Sequence, residues 1–344
     1  MDKNDCMWSD DMIKRDFGQT NKGELVSIYR LKNQKGIVAY VSDLGASLQA
    51  LFVPDKNGNL RDVVLGYESA DAYETSNCKF LGMTVGRNAN RISNSVFQIN
   101  GITYRLESNR GKHNLHSGPD FYGGRLWSVV RQSESSITFG LHSEDGDQGF
   151  PGEVDIEVTY LITETNDVEI TYYGIPTKDT IINMTNHSFF NLNGHDSGSV
   201  SGHCVWINSD SYTRYDEESI PTGEFVLVKN TPMDFRVRKE IGLHRYDYNF
   251  VLNNCGQYDK VAELYSPASG ILMEVSTDLP GLQFYTGDFL SRVRGKNGAI
   301  YSEKQGVCFE TQQFPNAVNQ GRFKSPICRA GEVYFTKTAY RFTY

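Results

Sequence analysis

Two adjacent segments of this chain alternate apolar and polar residues over the length of a β-strand. The first, EVDIEVTYLI, begins at Glu153, and the second, VEITYYGI, begins at Val168 after the polar sequence TETND. The apolar positions of the first segment are Val154, Ile156, Val158, Tyr160 and Ile162. Because successive side chains of a strand point to opposite faces, this pattern buries one face of a strand but no face of a helix. The two segments are therefore predicted to be antiparallel strands with one face in a core.

A second hairpin is predicted where Asn100 and Gly101 separate the two arms of VFQINGITYRLE. Both residues tolerate the positive φ that a type I′ turn requires, so the dipeptide is a strong hairpin signal. Further strand-like segments begin at Ile271, Leu282, Gly306 and Val333. No long stretch repeats its apolar residues every 3.6 positions, and short helical turns are expected only near residues 69–74 and 238–243.

Many strands joined by frequent turns predict an all-β protein, built as a large antiparallel sandwich or barrel. No linker, internal repeat or low-complexity tract divides the 344 residues, and a sheet protein of this length can be one domain. We expect one catalytic domain over residues 1–344, with residues 1–20 as a loose polar lead-in.

The composition argues against several classes of partner and location. A formal net charge of −8 disfavours a nucleic acid or an anionic membrane as the main partner. The charged N-terminal segment does not look like a signal peptide, and no run approaches the ~18 apolar residues of a membrane span. Six cysteines without a CxxC pair favour reduced thiols and a cytoplasmic location. Glycosylation sequons begin at Asn183 and Asn186, and a glycan on Asn186 would block the neighbouring His187.

The segment TNHSFFNL places His187 in a strand-like run with two different faces. At a period of two, the polar and aromatic face carries Asn183, Thr185, His187, Phe189 and Asn191. The apolar face carries Ile182, Met184, Phe190 and Leu192. Such a segment suits the wall of a cleft that binds a polar ligand, and histidine is the side chain that ordinarily titrates near neutral pH. A histidine taken alone is more often structural than catalytic, so this pattern needs support from other segments.

Five other segments carry side chains of the types found in ligand sites. They contain Arg87, Asn90 and Arg91 in VGRNANRIS, His113 and His116 in HNLHSG, Asp247 in RYDYNF, and Gln283 with Glu310 in two strand-like segments. Each has a structural alternative, since the arginines can be solvated in a turn and Asp247 can be a turn residue. The i, i+3 histidine pair suggests a metal site, but a loop signal follows it and no cysteine or carboxylate lies near it in sequence. We therefore predict no metal.

Glu310 is the hardest of these residues to explain by structure alone. In GVCFETQ it lies in an otherwise apolar strand, on the same face as Cys308 and Gln312. A carboxylate in such a place costs free energy unless it is paired or functional. This makes Glu310 a candidate for chemistry.

Seven short motifs contain most of these candidate residues. They are GRNANRIS, NLHSG, QGFPGEV, TNHSFFNL, YDYNF, GLQFYTGDF and ETQQFPNAVNQ, which extend from about Gly86 to Gly321. In this order they resemble the aldose 1-epimerase (galactose mutarotase) family, most closely its animal members. The resemblance implies a large antiparallel β-sandwich of the galactose mutarotase type, a supersandwich with few short helices.

The resemblance also implies an isomerase that interconverts the α and β anomers of hexoses such as galactose and glucose, without a cofactor. It implies Glu310 as general base, His187 as general acid and His116 as a second histidine at the ring oxygen. Sugar-binding positions are implied at Asn90, Arg91, His116, Asp247 and Gln283. Ser117, Phe189 and Phe314 depart from residues common in the family, and none of these departures removes a proton-transfer group.

Three other functions remain open at this stage. A glycosidase would use Asp247 and Glu310 as paired carboxylates but leaves both histidines without a role. A non-catalytic carbohydrate-binding module on the same fold is a second possibility. A hexose-6-phosphate 1-epimerase needs a basic cluster, for which Arg292, Arg294 and Lys296 are candidates, although a solvated loop explains them more simply. The assembly is expected to be a monomer or weak dimer.

Overall fold

The computed structural model describes residues 13–344, in which the chain forms 29 strands and one short α-helix, α1, at Ala70–Thr75. In chain order the strands are β1 Lys14–Gln19, β2 Leu25–Lys32, β3 Val38–Ser42, β4 Ser47–Pro54, β5 Leu60–Asp62, β6 Thr84–Val85, β7 Arg91–Ile92, β8 Val96–Ile99, β9 Ile102–Arg105, β10 Asn114–Leu115, β11 Ser128–Gln132, β12 Ser136–Ser143, β13 Val154–Ile162, β14 Asp167–Pro176, β15 Thr180–Ile181, β16 Thr185–Asn186, β17 Cys204–Ile207, β18 Ser209–Tyr215, β19 Pro221–Leu227, β20 Lys239–Glu240, β21 Asp247–Leu252, β22 Asp259–Tyr265, β23 Leu272–Thr277, β24 Gly281–Tyr285, β25 Val293–Arg294, β26 Ile300–Tyr301, β27 Cys308–Gln312, β28 Ile327–Cys328 and β29 Tyr334–Thr343.

Three large antiparallel sheets organise these strands. The first contains β1 to β5 in sequence order. The largest has nine strands in the order β11-β12-β13-β14-β29-β23-β22-β17-β20. The third has five strands in the order β19-β18-β21-β24-β27. One continuous hydrophobic core contains buried residues from all three sheets, for example Leu51, Phe139 and Phe284. The all-β prediction is confirmed.

The alternating segments behave as their patterns indicate. β13 buries Val154 and every second residue to Ile162, while the residues between them are partly or fully exposed. Its partner β14 pairs antiparallel with it along the whole strand. In the second predicted hairpin, Asn100 and Gly101 have φ values of 52° and 78° and connect β8 to β9. Both hairpin predictions are confirmed.

The two helical predictions have different outcomes. Helix α1 forms where a turn was expected, and its N-cap Ser69 accepts a hydrogen bond from the Ala72 amide. The expected turn at residues 238–243 is wrong, because Lys239–Glu240 forms strand β20 against β17. Pairing at the edge of the nine-stranded sheet satisfies that backbone, so tertiary context overrides a weak local preference.

The predicted lead-in lies partly outside the described residues, which begin at residue 13. Within the described part it is wrong, because Lys14–Gln19 is strand β1 and pairs with β2.

Among residues 13–344 the cysteines are free thiols, and no helix is long and apolar enough to cross a membrane. The sequon residues Asn183 and Asn186 are 1% and 4% exposed, so neither side chain is open to a glycan.

Candidate active site

One cavity of about 320 Å³ brings together residues from distant parts of the chain. Its lining includes every residue assigned a site role from the sequence: Asn90, Arg91, His116, His187, Asp247, Gln283 and Glu310. In the structure these residues line one cavity, whereas the chemical roles assigned to them stay predictions. Aromatic rings of Phe80, Phe189, Tyr285 and Phe289 complete much of the wall.

Three adjacent strands of the third sheet carry the carboxylates and the amide. Asp247 begins β21, Gln283 lies in β24, and Gln283 is directly opposite Glu310 of β27 in the strand register. The Gln283 side-chain amide donates to Oδ1 of Asp247 at 2.6 Å, and Tyr215 donates its hydroxyl to the Gln283 carbonyl. β24 and β27 are buried over their whole length. This burial fixes Gln283 and Glu310, and the hydrogen bond from Gln283 holds the half-buried Asp247 beside them.

The His187 segment is less regular than its pattern predicted. Only Thr185–Asn186 forms a strand, β16, which pairs with β6. The His187 amide then donates to the Met83 carbonyl at 2.9 Å, and Phe190 exchanges two backbone hydrogen bonds with Val307, the residue before β27. This connection places the imidazole beside Glu310, with 3.7 Å between Nε2 of His187 and Oε1 of Glu310.

The two predicted faces of this segment are mostly correct. The residues of the apolar face, Ile182, Met184, Phe190 and Leu192, all lie in the main core. On the polar face, His187 and Phe189 line the cavity. Asn183, Thr185 and Asn191 of the same face do not line it. The Asn191 side-chain amide donates to the carbonyls of Gly198 and Gln305 and holds a loop instead.

His116 is held against the loop that carries Asn90. The Asn90 backbone amide donates to Nδ1 of His116 at 3.2 Å, and the His116 amide donates to the Asn90 carbonyl at 2.9 Å. Because Nδ1 accepts a hydrogen bond, the neutral His116 ring carries its proton on Nε2. His116 and His187 have ring centroids 5.5 Å apart.

His113 and Arg87 are not in the cavity lining and support the neighbouring loops. Nδ1 of His113 accepts a hydrogen bond from the Asn94 amide, and its Nε2 lies 3.6 Å from the Glu218 carboxylate. Arg87, considered above as a solvated turn residue, is fully buried and donates to the carbonyls of Pro151 and Gly152. The i, i+3 spacing of the two histidines therefore does not bring them to one ligand.

Burial controls the ionisation of the acid–base pair. It raises the pKa of Glu310 well above its usual range; the Asp247 carboxyl raises it further and Arg91 opposes this. Burial lowers the pKa of His187 to about 4, partly offset by a hydrogen bond to its own backbone. Burial, with His187 and Arg91, also lowers the pKa of His116. The protein thus favours the uncharged form of each group.

His116, His187 and Glu310 offer three potential metal-ligand atoms within 4.8 Å of one another. Two imidazoles and one carboxylate form a common zinc-binding set. The hydrogen bond from Asn90 to Nδ1 of His116 opposes this use, because an imidazole that binds a metal through Nε2 needs its proton on Nδ1. The arrangement fits proton transfer better than metal binding.

Several cavity residues were not identified from the sequence. The Phe80 ring stacks on His187 with a centroid distance of 5.4 Å and also contacts His116. Phe80 lies outside every quoted motif, so no sequence signal pointed to it. Tyr285 follows Gln283 by two positions and shares its strand face, so the alternation of β24 could have identified it.

A family model described as "Aldose 1-epimerase" matches residues 27–341. The chain belongs to the aldose 1-epimerase family. The match confirms the resemblance drawn from the seven motifs and covers the cavity and, apart from β1, nearly all of the three large sheets. As a member of this family, the protein is an isomerase.

Relatives and solved structures agree with the family assignment. The aldose 1-epimerase of Haemophilus influenzae is 39% identical, covering 96% of this chain and 100% of the relative. Human galactose mutarotase is 38% identical, covering 87% of this chain and 89% of the relative, so bacterial and animal members both match. A solved aldose epimerase homologue from C. elegans is 30% identical with a TM-score of 0.87, covering 92% of this chain and 98% of its own. The predicted mutarotase-type fold is confirmed.

Proposed function

We propose that the cavity catalyses the interconversion of the α and β anomers of free hexoses such as galactose and glucose, with Glu310 as general base and His187 as general acid. The observation that carries these roles is the pairing of a buried carboxylate and a buried imidazole, 3.7 Å apart, on the wall of a sugar-sized cavity. Oε2 of Glu310 is buried and accepts no hydrogen bond from residues 13–344, which suits an incoming hydroxyl donor.

Anomer interconversion needs two coupled proton transfers. Glu310 removes the proton from the C1 hydroxyl while His187 protonates the ring oxygen, and the ring opens to the aldehyde. Rotation about the C1–C2 bond presents the other carbonyl face, and the reverse transfers close the ring. His116, whose Nε2 carries a proton, donates a hydrogen bond to the same oxygen. No redox step or covalent intermediate is required.

The electrostatics of the cavity favour ring opening. Ring opening starts from the ionised form of the pair, a Glu310 carboxylate and a His187 imidazolium, and leaves both groups neutral. Burial favours the neutral forms of both residues, as their pKa directions show. The attraction between the opposite charges favours the ionised pair. The attraction therefore limits the preference for the neutral pair, and that preference favours the proton transfers that open the ring.

The remaining polar residues are proposed to bind the sugar hydroxyls. Asn90, Arg91, Asp247 and Gln283 present amide, guanidinium and carboxylate groups to the cavity, and these groups recognise neighbouring hydroxyls. Fixing the distant hydroxyls places C1 between acid and base. We propose an aldohexose as the small-molecule substrate, a monomer or weak dimer as the assembly and the cytoplasm as the location; the free thiols of the described residues support the last.

The alternative functions are not favoured. Two of the three residues considered for binding a phosphate, Arg292 and Arg294, do not line the cavity. The third, Lys296, does not lie in a solvated loop as expected; it is buried and pairs with Asp62 at 2.6 Å. Its ammonium group also donates to the Gln49 and Val64 carbonyls, so it has no donor left for a phosphate.

Polarimetry on freshly dissolved α-galactose and α-glucose tests the proposed function. We expect the purified protein to accelerate the change in optical rotation with both sugars. A rate equal to that of buffer, with galactose binding retained, would instead identify a sugar-binding module. Release of a reducing sugar from an aryl glycoside would identify a glycosidase.

Replacing Asp247 by Asn is expected to shift the limb of the pH profile that Glu310 sets to lower pH. The Asp247 carboxyl is one cause of the raised pKa of Glu310, so its neutralisation lowers that pKa. A base with a lower pKa stays unprotonated to lower pH. KM is expected to rise about tenfold because one charge-assisted hydrogen bond to the sugar is lost. The measurement is kcat/KM by polarimetry from pH 4 to pH 9, which is roughly the range of the groups concerned.

An Asp210→Asn variant controls for the loss of one negative charge, because Asp210 lies on the surface with its side chain 60% exposed. It should leave the profile unchanged. A pH profile that does not move in the Asp247→Asn variant would contradict the coupling between Asp247 and the base.

A further inference from the structure

The thiol of Cys308 lies directly behind the proposed acid. Its Sγ is 3.5 Å from Nδ1 of His187, and the residue is completely buried on the face of β27 that also carries Glu310. The other ring nitrogen, Nε2, is the one that lies 3.7 Å from Glu310. The two nitrogens of one imidazole thus face two residues of the same strand, two positions apart.

Besides Cys308, the His187 side chain has a hydrogen-bonding contact with its own backbone. The aromatic rings around it hold its plane but offer no strong hydrogen-bond partner. Phe80 and Phe189 stack on it with interplanar angles of 16° and 21°. Stacking leaves open which nitrogen carries the proton of the neutral ring, because that choice is made by the hydrogen bond at the other nitrogen.

We propose that Cys308 is a positioning residue for His187, whose sulfur accepts a hydrogen bond from Nδ1–H and so keeps the lone pair of Nε2 directed toward Glu310 and the sugar. The inference rests on the proposed function of the site and assigns the group that orients its acid. An acid that exchanges its proton through Nε2 must keep a proton on Nδ1 throughout the cycle. The sulfur therefore accepts the same hydrogen bond from Nδ1–H in every step.

A neutral sulfur suits this position better than a carboxylate would. Burial and the nearby Glu310 raise the pKa of the Cys308 thiol well above its usual range, so it stays uncharged. A thiol sulfur accepts hydrogen bonds only weakly and adds no negative charge. It orients the ring without stabilising the imidazolium as strongly as a carboxylate does. The His187 imidazolium therefore gives up its proton more easily than it would beside a carboxylate.

The neighbouring His116 shows the opposite arrangement. A backbone amide donates to its Nδ1, which places the proton of that neutral ring on Nε2. The two histidines are thus held in different tautomers by different partners. His187 is set to exchange a proton, whereas His116 is set to donate a hydrogen bond.

Kinetics of Cys308→Ala and Cys308→Ser variants provide the first test. We expect Cys308→Ala to lower kcat about tenfold with KM nearly unchanged, because the sugar contacts remain while the acid loses its orientation. Cys308→Ser restores an acceptor and should recover part of the rate. Cys328→Ala, at a second buried cysteine outside the cavity lining, controls for the loss of a buried thiol. An unchanged kcat in Cys308→Ala would overturn the proposal.

Nitrogen NMR of the protein labelled with 15N-histidine provides the second test and needs no activity. We expect the neutral His187 ring of the unmutated protein to show the Nδ1–H form, and Cys308→Ala to shift it toward the Nε2–H form. The His187→Asn spectrum assigns the signal. An Nε2–H form in the unmutated protein would overturn the proposal even if the Cys308→Ala variant failed to fold.

The two tests separate this inference from the function it rests on. If His187→Asn loses the polarimetric rate while Cys308→Ala keeps both rate and tautomer, only the role of Cys308 fails. If His187→Asn keeps the full rate, the proposed function of the acid fails, whatever the tautomer.

Discussion

Replacing Glu310 by Gln is expected to lower the rate of anomer interconversion at least ~10²-fold, in line with the contribution of a general base. The amide keeps the shape of the side chain and its place opposite Gln283, but it cannot accept the C1 proton. Sugar binding should be largely retained, because the proposed binding residues are unchanged. Polarimetry measures the rate, and calorimetric titration with galactose measures binding.

A Glu274→Gln variant is a matched control, because Glu274 lies in strand β23 and pairs with Lys260 away from the cavity lining. It should keep the full rate. A near-normal rate in the Glu310→Gln variant would refute the role of Glu310 as the base. Loss of binding together with loss of rate would point to a role in holding the sugar instead.

Replacing Arg87 by Leu is expected to lower the free energy of unfolding by about 3 kcal/mol or more. The guanidinium is fully buried and donates to the carbonyls of Pro151 and Gly152 at 3.0 and 2.7 Å and to the Tyr122 hydroxyl at 3.1 Å. Each buried acceptor left without a donor costs about 1–3 kcal/mol. Urea denaturation followed by circular dichroism, extrapolated to zero denaturant, measures the change.

Arg131→Leu is the control for this effect, because its side chain is 67% exposed and forms one surface ion pair with Glu157. Its loss should change the free energy of unfolding by less than about 1 kcal/mol. Equal stability of the two variants would contradict the structural role given to Arg87. Arg87 also lies in the loop that carries Asn90 and leads into β7 at Arg91, so a folded Arg87→Leu protein should bind sugar more weakly.

Local patterns in the sequence predicted much of the fold. The alternation in β13 and β14 identified both strands and the buried face, and Asn100-Gly101 identified a turn. These features depend on side-chain period and backbone φ preferences, which act over a few residues. The segment at residues 238–243 was misread because its strand exists only through pairing with β17, a partner distant in the chain.

The sequence by itself determined which side chains were available for chemistry, that Glu310 lies in a strand of buried character, and through seven motifs the family to which the chain belongs. The tertiary structure alone decided that His187 lies 3.7 Å from Glu310, that Cys308 lies behind His187, and that Phe80 covers both histidines. The reason is physical. A local pattern states which face of a strand is buried, but contacts between distant segments depend on which strands pair, and that is set by the packing of the whole core.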